Sequence, residues 1–210
     1  KLIVTNFPYL NNLIECLKKY KIGFFITVSS QLRNLAHYPK SIKNTLKTIV
    51  SSSDTLGISE IKKLKKKFQC KIFEIFGASE CSIISNVNLR LINRYLHKGK
   101  PIKNVRIKLL NNKKLHSKKN IVGEICVLSK YQFSRYLNET TSKFYFKKFF
   151  KTGDLGKFDS KGNLVFVDRK KSVFKVGAVN VFADDIITKL NKLKYINDTF
   201  VFPIKNKSLG

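Results

Sequence analysis

Methionine and tryptophan are both absent from the 210 residues, acidic side chains number only 13, and glycine and proline are held to 10 and 4. Residue 1 is Lys, so the chain carries no initiator of its own; a processed product or a piece of something longer is expected. No apolar run approaches the roughly 18 residues that cross a bilayer, which excludes a membrane-spanning segment. No signal peptide is visible. The four cysteines, Cys16, Cys70, Cys81 and Cys126, form no C-x-x-C pair and so lack the spacing of a zinc or redox motif. They read as reduced, partly buried thiols of a cytoplasmic protein. His37, His97 and His116 are equally dispersed, and no metal site follows from their spacing.

Basic residues are plentiful: 42 Lys and Arg give a formal charge of +29. With 43% hydrophobic and 12% aromatic residues, the chain has ample material for a packed core and is not a disordered basic tail. Such a charge points first to nucleic acid or an anionic surface. Its make-up argues otherwise, because 36 of the basic residues are Lys and only 6 are Arg, alongside 21 Ile and 18 Asn. Phosphate clamps and base readers favour the planar Arg fork. A Lys/Ile/Asn surplus spread along the chain is the signature of an AT-rich genome.

Leu10, Leu13, Ile14 and Leu17 have helical spacing. Residues 22–28 read as a buried strand ending in Ser29-Ser30, and residues 48–50 as a second strand running into Ser51–Asp54. Ile58, Ile61, Leu64 and Phe68 mark a second helix, with Lys62, Lys63, Lys65, Lys66 and Lys67 on its solvated face. Residues 71–76 form a third strand entering the turn Gly77-Ala78-Ser79-Glu80. This alternation predicts a parallel sheet with helices on its faces, whose ligands sit at the carboxyl ends of the strands. From about residue 99 the texture changes to short β segments at 105–110, 123–128 and 162–167, with a loop at 113–119 and a hairpin turn at 159–163. A small β-barrel or sandwich is expected there. A hairpin around Gly177 follows, then a helix opened by Asp184 and Asp185 with Ile186, Ile187, Leu190 and Leu193 as its apolar residues.

Four segments, in order, resemble the AMP-forming adenylating superfamily of acyl-CoA synthetases, peptide-synthetase adenylation domains and firefly luciferase. They are Ile75-Phe76-Gly77-Ala78-Ser79-Glu80, Gly99-Lys100-Pro101-Ile102, Phe149-Phe150-Lys151-Thr152-Gly153-Asp154-Leu155-Gly156, and Asp168-Arg169-Lys170-Lys171-Ser172-Val173-Phe174-Lys175. Each alone has an ordinary explanation as a core aromatic, a helix cap, a β-turn or a solvated charge run. Their order and spacing carry the resemblance, above all Thr-Gly-Asp followed by Asp-Arg-Lys-Lys.

The resemblance implies an α/β fold followed by β structure: residues 1–95 as the C-terminal part of the large adenylating domain, and 96–168 as a β-barrel-like subdomain. A hinge at 169–171 and the start of a small α+β C-terminal domain at 172–210 would follow. It also implies that a carboxylic acid is activated with ATP and Mg²⁺ as an acyl adenylate, then passed to the thiol of coenzyme A or a carrier protein's phosphopantetheine. Phe76 would pack on adenine within a pocket that also draws on Ser53, Asp54, Gly77 and Ala78. Ser79 would bond the α-phosphate and Glu80 hold Mg²⁺. Asp154 would take the ribose hydroxyls and Arg169 the ribose or phosphate. Lys171 matches the hinge position, while Lys175 and Asn180 match positions that act in thiol transfer.

There are departures from the family pattern. Ser51-Ser52-Ser53-Asp54-Thr55-Leu56 stands where the family usually has Ser-Gly-Gly-Ala-Pro-Leu, and Ala178 stands where a Gly is frequent. The family's phosphate loop and its C-terminal lysine have no counterpart in the chain, so residues 1–210 alone are expected to be inactive in adenylation. Two rival readings remain: a basic module for single-stranded nucleic acid, built on the Lys/aromatic stretch 143–151, and a degenerate relative with an interaction role.

Overall fold

The computed structural model describes residues 10–89, 97–137, 140–176, 179–191, 193, 195, 196 and 199–204. It divides into two compact units, Lys1–Val105 with Tyr131–Phe133, and Arg106–Lys130 with Ser134–Gly210. No described helix is long and apolar enough to cross a membrane.

The first unit runs α1 (Leu10–Lys19), β1 (Phe24–Val28), α2 (Ser29–His37), β2 (Thr48–Ser52), α3 (Ile58–Phe68), β3 (Lys71–Ala78), β4 (Ser82–Asn88) and β5 (His97–Pro101). Strand order follows chain order, with β1, β2 and β3 parallel and β4 and β5 antiparallel. The apolar spacing explains the core. Leu13, Ile14 and Leu17 from α1, Leu32, Leu35 and Ala36 from α2, and Ile61, Leu64 and Phe68 from α3 bury against Ile49 and Ile72, with Phe25 packed beside them. Phe25, Ile49 and Ile72 form one cross-strand row, so both crossover helices cover a single face, as right-handed β-α-β connections require. Each fully buried Leu or Ile there contributes about 1.5–3 kcal/mol.

Several sequence expectations change in this unit. The sheet is mixed rather than parallel, because the turn at residues 79–81 is too short for a crossover and returns the chain antiparallel as β4. Gly77 and Ala78 belong to β3 rather than to a turn. Ser29-Ser30 does not end in a loop; it begins α2, a helix whose Leu32, Leu35 and Ala36 spacing went unread. The first strand is not buried on both faces, since Phe24 is 61% and Ile26 53% exposed. The lysines of α3 are not all merely solvated: Lys65 donates to the Leu89 carbonyl at 2.5 Å, and Lys67 to those of Leu35, at 3.0 Å, and Tyr38. Two of the basic residues thus satisfy carbonyls at the ends of neighbouring segments.

The second unit holds β6 (Val105–Asn111), β7 (Lys114–His116), β8 (Gly123–Ser129), β9 (Tyr145–Phe146), β10 (Phe149–Phe158), β11 (Leu164–Arg169), β12 (Val173–Val176), β13 (Val179–Phe182) and α4 (Ala183–Leu190). Five strands lie in the order β11-β10-β8-β6-β7, β9 pairs with β10, and β12 and β13 form a separate hairpin. The expected loop at 113–119 contains β7, reached through Asn112 (φ 46) and Lys113 (φ 58), a two-residue connection with both residues left-handed. The strand expected at 162–167 begins two residues later, after a turn in which Asp159 Oδ1 accepts the Lys161 and Asn163 N–H groups at 2.8 Å. Leu193 lies beyond α4 and is exposed rather than core. Gly177 and Ala178, the tip of the expected hairpin, lie outside the described residues.

The aromatics of 143–151 pack within the protein. Phe149 and Phe150 are buried, Tyr145 meets Phe150 edge-on at 5.5 Å, and Phe144 lies 4.5 Å from Tyr136. Phe149 and Phe150 are thereby closed to base stacking, while Phe144, Tyr145 and Phe146 are half-buried.

Candidate functional site

In the first unit, the parallel register of β1, β2 and β3 brings three carboxyl ends to one edge of the sheet. Ser29 follows β1, the segment Ser53–Leu56 follows β2, and the turn Ser79–Glu80 follows β3. Sequence-predicted residues Ser53, Asp54, Phe76, Gly77, Ala78, Ser79 and Glu80 therefore share one end of one sheet.

The β2 loop is shaped by side chains. Ser53 is exposed and stands at φ 76, a left-handed backbone that costs an L-residue with a Cβ about 1–2 kcal/mol. Asp54 donates its N–H to Ser29 Oγ at 3.0 Å, and the Ser29 hydroxyl has the Asp54 and Ser52 carbonyls within reach at 2.6 and 2.9 Å. Arg33 meets the Asp54 carboxylate at 2.5 Å and the Thr55 carbonyl at 3.0 Å. The two charged side chains are 38% and 69% exposed, so solvent weakens this pair.

Beneath the loop lies a buried ion pair that the sequence reading missed. Lys98 Nζ on β5 stands 2.5 Å from Glu74 Oε1 on β3, with side chains 7% and 2% exposed. Lys98 also donates to Thr55 Oγ1 at 2.6 Å, and Glu74 Oε2 accepts the Leu56 N–H at 3.4 Å. Burial pushes the Glu74 carboxyl above its ordinary range; Lys98 pulls it back, and Asp54 adds a small push upward. A signal did exist, since strand alternation puts Glu74 on the inward face with Ile72.

At the end of β3, Phe76 is half-buried and lies outside the core cluster, with a register irregularity between it and Gly77. A Cβ on Gly77 would stand 2.5 Å from the Ser82 carbonyl oxygen, and one on Gly99 (φ 74) 1.8 Å from that of Asn86. Both motif glycines are thus demanded by the backbone of β4. Ser79 is exposed and Glu80 half-buried, the Cys81 N–H closes the turn onto the Ala78 carbonyl at 3.0 Å, and the Glu80 carbonyl accepts the Phe133 N–H at 2.8 Å. Cys81 is fully buried beside them, its thiol pushed up to about 12 by burial and then by Glu80, which makes it inert.

In the second unit, the Thr-Gly-Asp motif lies inside β10 rather than in a turn, where the register against β8 shifts between Lys151 and Leu155. Thr152 Oγ1 donates to the Ile125 carbonyl at 2.9 Å and accepts the Asp154 N–H at 3.1 Å. Asp154, 4% exposed, is the register partner of Arg169 on β11, and its Oδ1 lies 3.0 Å from Arg169 Nε. The structure therefore brings together these two predicted residues, which are 15 positions apart. Asp168 is fully buried; its Oδ1 accepts the Arg169 N–H at 2.6 Å. Lys170 meets Glu124 at 2.7 Å, and Lys171 is exposed in the 3-10 turn that follows β11. Lys175 and Asn180 are backbone partners across the β12–β13 hairpin, and their side chains lie outside the described residues.

Among the described residues no three His, Cys, Asp or Glu side chains cluster as a metal cage. One half-buried carboxylate at Glu80 fits Mg²⁺ arriving on phosphate oxygens, since Mg²⁺ needs only one or two protein carboxylates.

Comparison with known proteins agrees with this layout. Residues 2–137 match the family described as AMP-binding enzyme. An uncharacterized acyl-CoA ligase, YhfT of Bacillus subtilis (strain 168), is 27% identical over 173 residues, 82% of this chain and 35% of the relative. A putative long chain fatty acid-CoA ligase, VraA of Staphylococcus aureus (strain COL), is 26% identical over 202 residues, 96% of this chain and 42% of the relative. Among solved structures, o-succinylbenzoate CoA synthetase (MenE) from Bacillus subtilis, in complex with its acyl-adenylate intermediate, superposes with a TM-score of 0.86 at 19% identity. That likeness covers 96% of this chain and 42% of MenE. The chain thus spans about two-fifths of the length of the relatives it matches.

Proposed function

The chain belongs to the AMP-binding enzyme family, and from that premise we propose that it is part of an AMP-forming acid–thiol ligase, of acyl-CoA or acyl-carrier synthetase type. The observation that carries the proposal is the gathering of Ser53, Asp54 and Phe76–Glu80 at the carboxyl end of parallel strands, the usual ligand edge of such sheets.

The reaction has two halves. A substrate carboxylate oxygen attacks the α-phosphorus of ATP, forming the acyl–phosphate bond and expelling pyrophosphate. A thiolate then attacks the acyl carbon and expels AMP. Most of the catalysis lies in holding the reactants in line and neutralising charge. In this reading Phe76 packs its half-buried ring against adenine, beside a pocket edged by Ser53, Asp54, Gly77 and Ala78. The Ser79 hydroxyl donates to the α-phosphate. Glu80 holds Mg²⁺, which neutralises phosphate charge when bound. Asp154, an acceptor-only carboxylate, takes the two ribose hydroxyls, and Arg169, already paired with it, reaches the ribose or a phosphate. Lys171 marks the hinge, and Lys175 and Asn180 serve the thiol-transfer half.

The division into 1–95, 96–168, a hinge at 169–171 and 172–210 belongs to the same proposal, as does cytoplasmic placement. Neither rival reading gains support: two of the five rings in the aromatic stretch are buried, and of the 42 basic residues only Arg169, Lys171 and Lys175 fall at matched ligand positions.

Adenylation is assigned to the whole protein. Carboxylic acids of different classes should be screened there for ATP–pyrophosphate exchange, with Asp154→Ala expected to lower kcat/KM by at least about tenfold through lost hydrogen bonds to the ribose. Residues 1–210 alone are expected to bind AMP weakly at best and to show no exchange. If no acid drives exchange in the whole protein while it binds single-stranded DNA at physiological salt, the reading falls.

A further inference from the structure

The loop that follows β2 is fixed at its start by the buried Ser29 hydroxyl, which takes the Asp54 N–H and reaches the Ser52 and Asp54 carbonyls, while its outward side chains are more loosely held. Ser53 is exposed with a left-handed backbone, and the Asp54 side chain is tied to a half-exposed Arg33. For Thr55 and Leu56 the fixed reference lies one layer down. Lys98 Nζ stands 2.5 Å from Glu74 and 2.6 Å from Thr55 Oγ1, and the other Glu74 oxygen takes the Leu56 N–H at 3.4 Å. Glu74 and Lys98 come from β3 and β5, the strands on either side of β4. Two framework strands therefore grip two consecutive loop residues through one buried ion pair. Burying such a pair is expensive, and an apolar pair of similar volume would serve stability as well. What an apolar pair would not supply is a directional hold on a neighbouring hydroxyl and amide.

We propose that Lys98, through Glu74 and Thr55, is a positioning residue of the nucleotide loop, acting with Ser29 to set where Ser53 and Asp54 stand beside a bound adenine nucleotide. The proposal rests on the nucleotide reading above. It also assigns a use to a lysine that no motif required.

The test is an amide-resolved NMR study of the whole protein titrated with AMP, with residues 53–56 and 76–80 followed. Thr55→Val removes the hydroxyl that accepts from Lys98 while keeping the side chain's shape and the Glu74–Lys98 pair. Amides of residues 53–56 should exchange about tenfold faster and the AMP dissociation constant rise about three- to tenfold, the size of one lost hydrogen bond. The melting temperature should fall by no more than about 5 °C. Thr55→Ser should restore both properties, which a purely space-filling role for Thr55 would not predict. The double variant Lys98→Met with Glu74→Gln leaves no buried charge and retains an acceptor for Leu56; it should loosen the same amides and weaken AMP to a similar degree. Wild-type exchange in Thr55→Val, or wild-type AMP affinity in both variants, overturns the proposal. AMP-induced shifts at residues 76–80 without any at 53 and 54 also overturn it, leaving the nucleotide reading intact. No shift anywhere in the wild-type whole protein overturns both.

Discussion

The two units hold their candidate ligands in different ways. In the first, the residues stand on connections after strands and are fixed by side chains: Ser29 and Arg33 on the Asp54 segment, and Lys98 and Glu74 on Thr55 and Leu56. In the second, Asp154 and Arg169 are strand residues fixed mainly by the β10–β11 ladder. A ladder spreads its restraint over many backbone bonds, whereas a loop pinned by a few side chains depends on each one. Single substitutions should therefore shift the first arrangement more than the second.

The largest contrast is between two ammonium groups. Lys98→Ala strands the buried Glu74 carboxylate and should cost about 3–5 kcal/mol of unfolding free energy. Lys170→Ala also takes a partner from a buried carboxylate, Glu124 at 7% exposure, but the lost ammonium is itself 59% exposed and water can take its place, so the cost should be smaller, about 1–2 kcal/mol. Urea unfolding of both variants measures the gap; equal losses would erase the distinction. A smaller effect of opposite sign is expected at the strained loop residue. Ser53→Gly should stabilise by up to about 1 kcal/mol, because glycine adopts φ 76 without a Cβ penalty but loses more chain entropy on folding. A destabilised variant in the same assay would show that the Ser53 side chain contributes more than its backbone costs.

The smallest expected effect is a pH dependence confined to the first unit. Burial holds the Glu74 carboxyl above its ordinary value of 4.5, more strongly than Lys98 pulls it down. A carboxyl raised by folding binds its proton more tightly in the native state, so its contribution is full below the unfolded value and declines as pH rises through the folded one. Wild type should therefore gain stability relative to Glu74→Gln as pH falls from neutral toward 4.5. A difference that stays constant over this range would contradict the assignment.

Much of this was legible locally. The spacing of Leu13, Ile14 and Leu17, and of Ile61, Leu64 and Phe68, identified two helices because the apolar stripe repeats within a few residues. Motif order marked Phe76–Glu80 and Asp154–Arg169, and the structure shows the second pair in contact. What escaped was helix α2, which starts with no linker after β1, and the antiparallel return of β4, hidden because the Gly-Ala-Ser-Glu stretch reads as a turn from its first residue. The Lys98 contacts escaped for another reason: their partners lie 24 and 43 residues away, and nothing in the local pattern of a lysine before a Gly-Lys-Pro sequence points to either.

By itself, then, the sequence determined the family and much of the alternation of helix and strand, and it marked the short segments proposed to carry ligand chemistry, since each of these is written in residue types and short spacings. The tertiary structure alone decided which carboxylate is buried, which lysine meets it, and that Ser53 stands left-handed. Those outcomes depend on which strands the sheet sets side by side, and long-range pairing leaves no local trace for a reader of the chain.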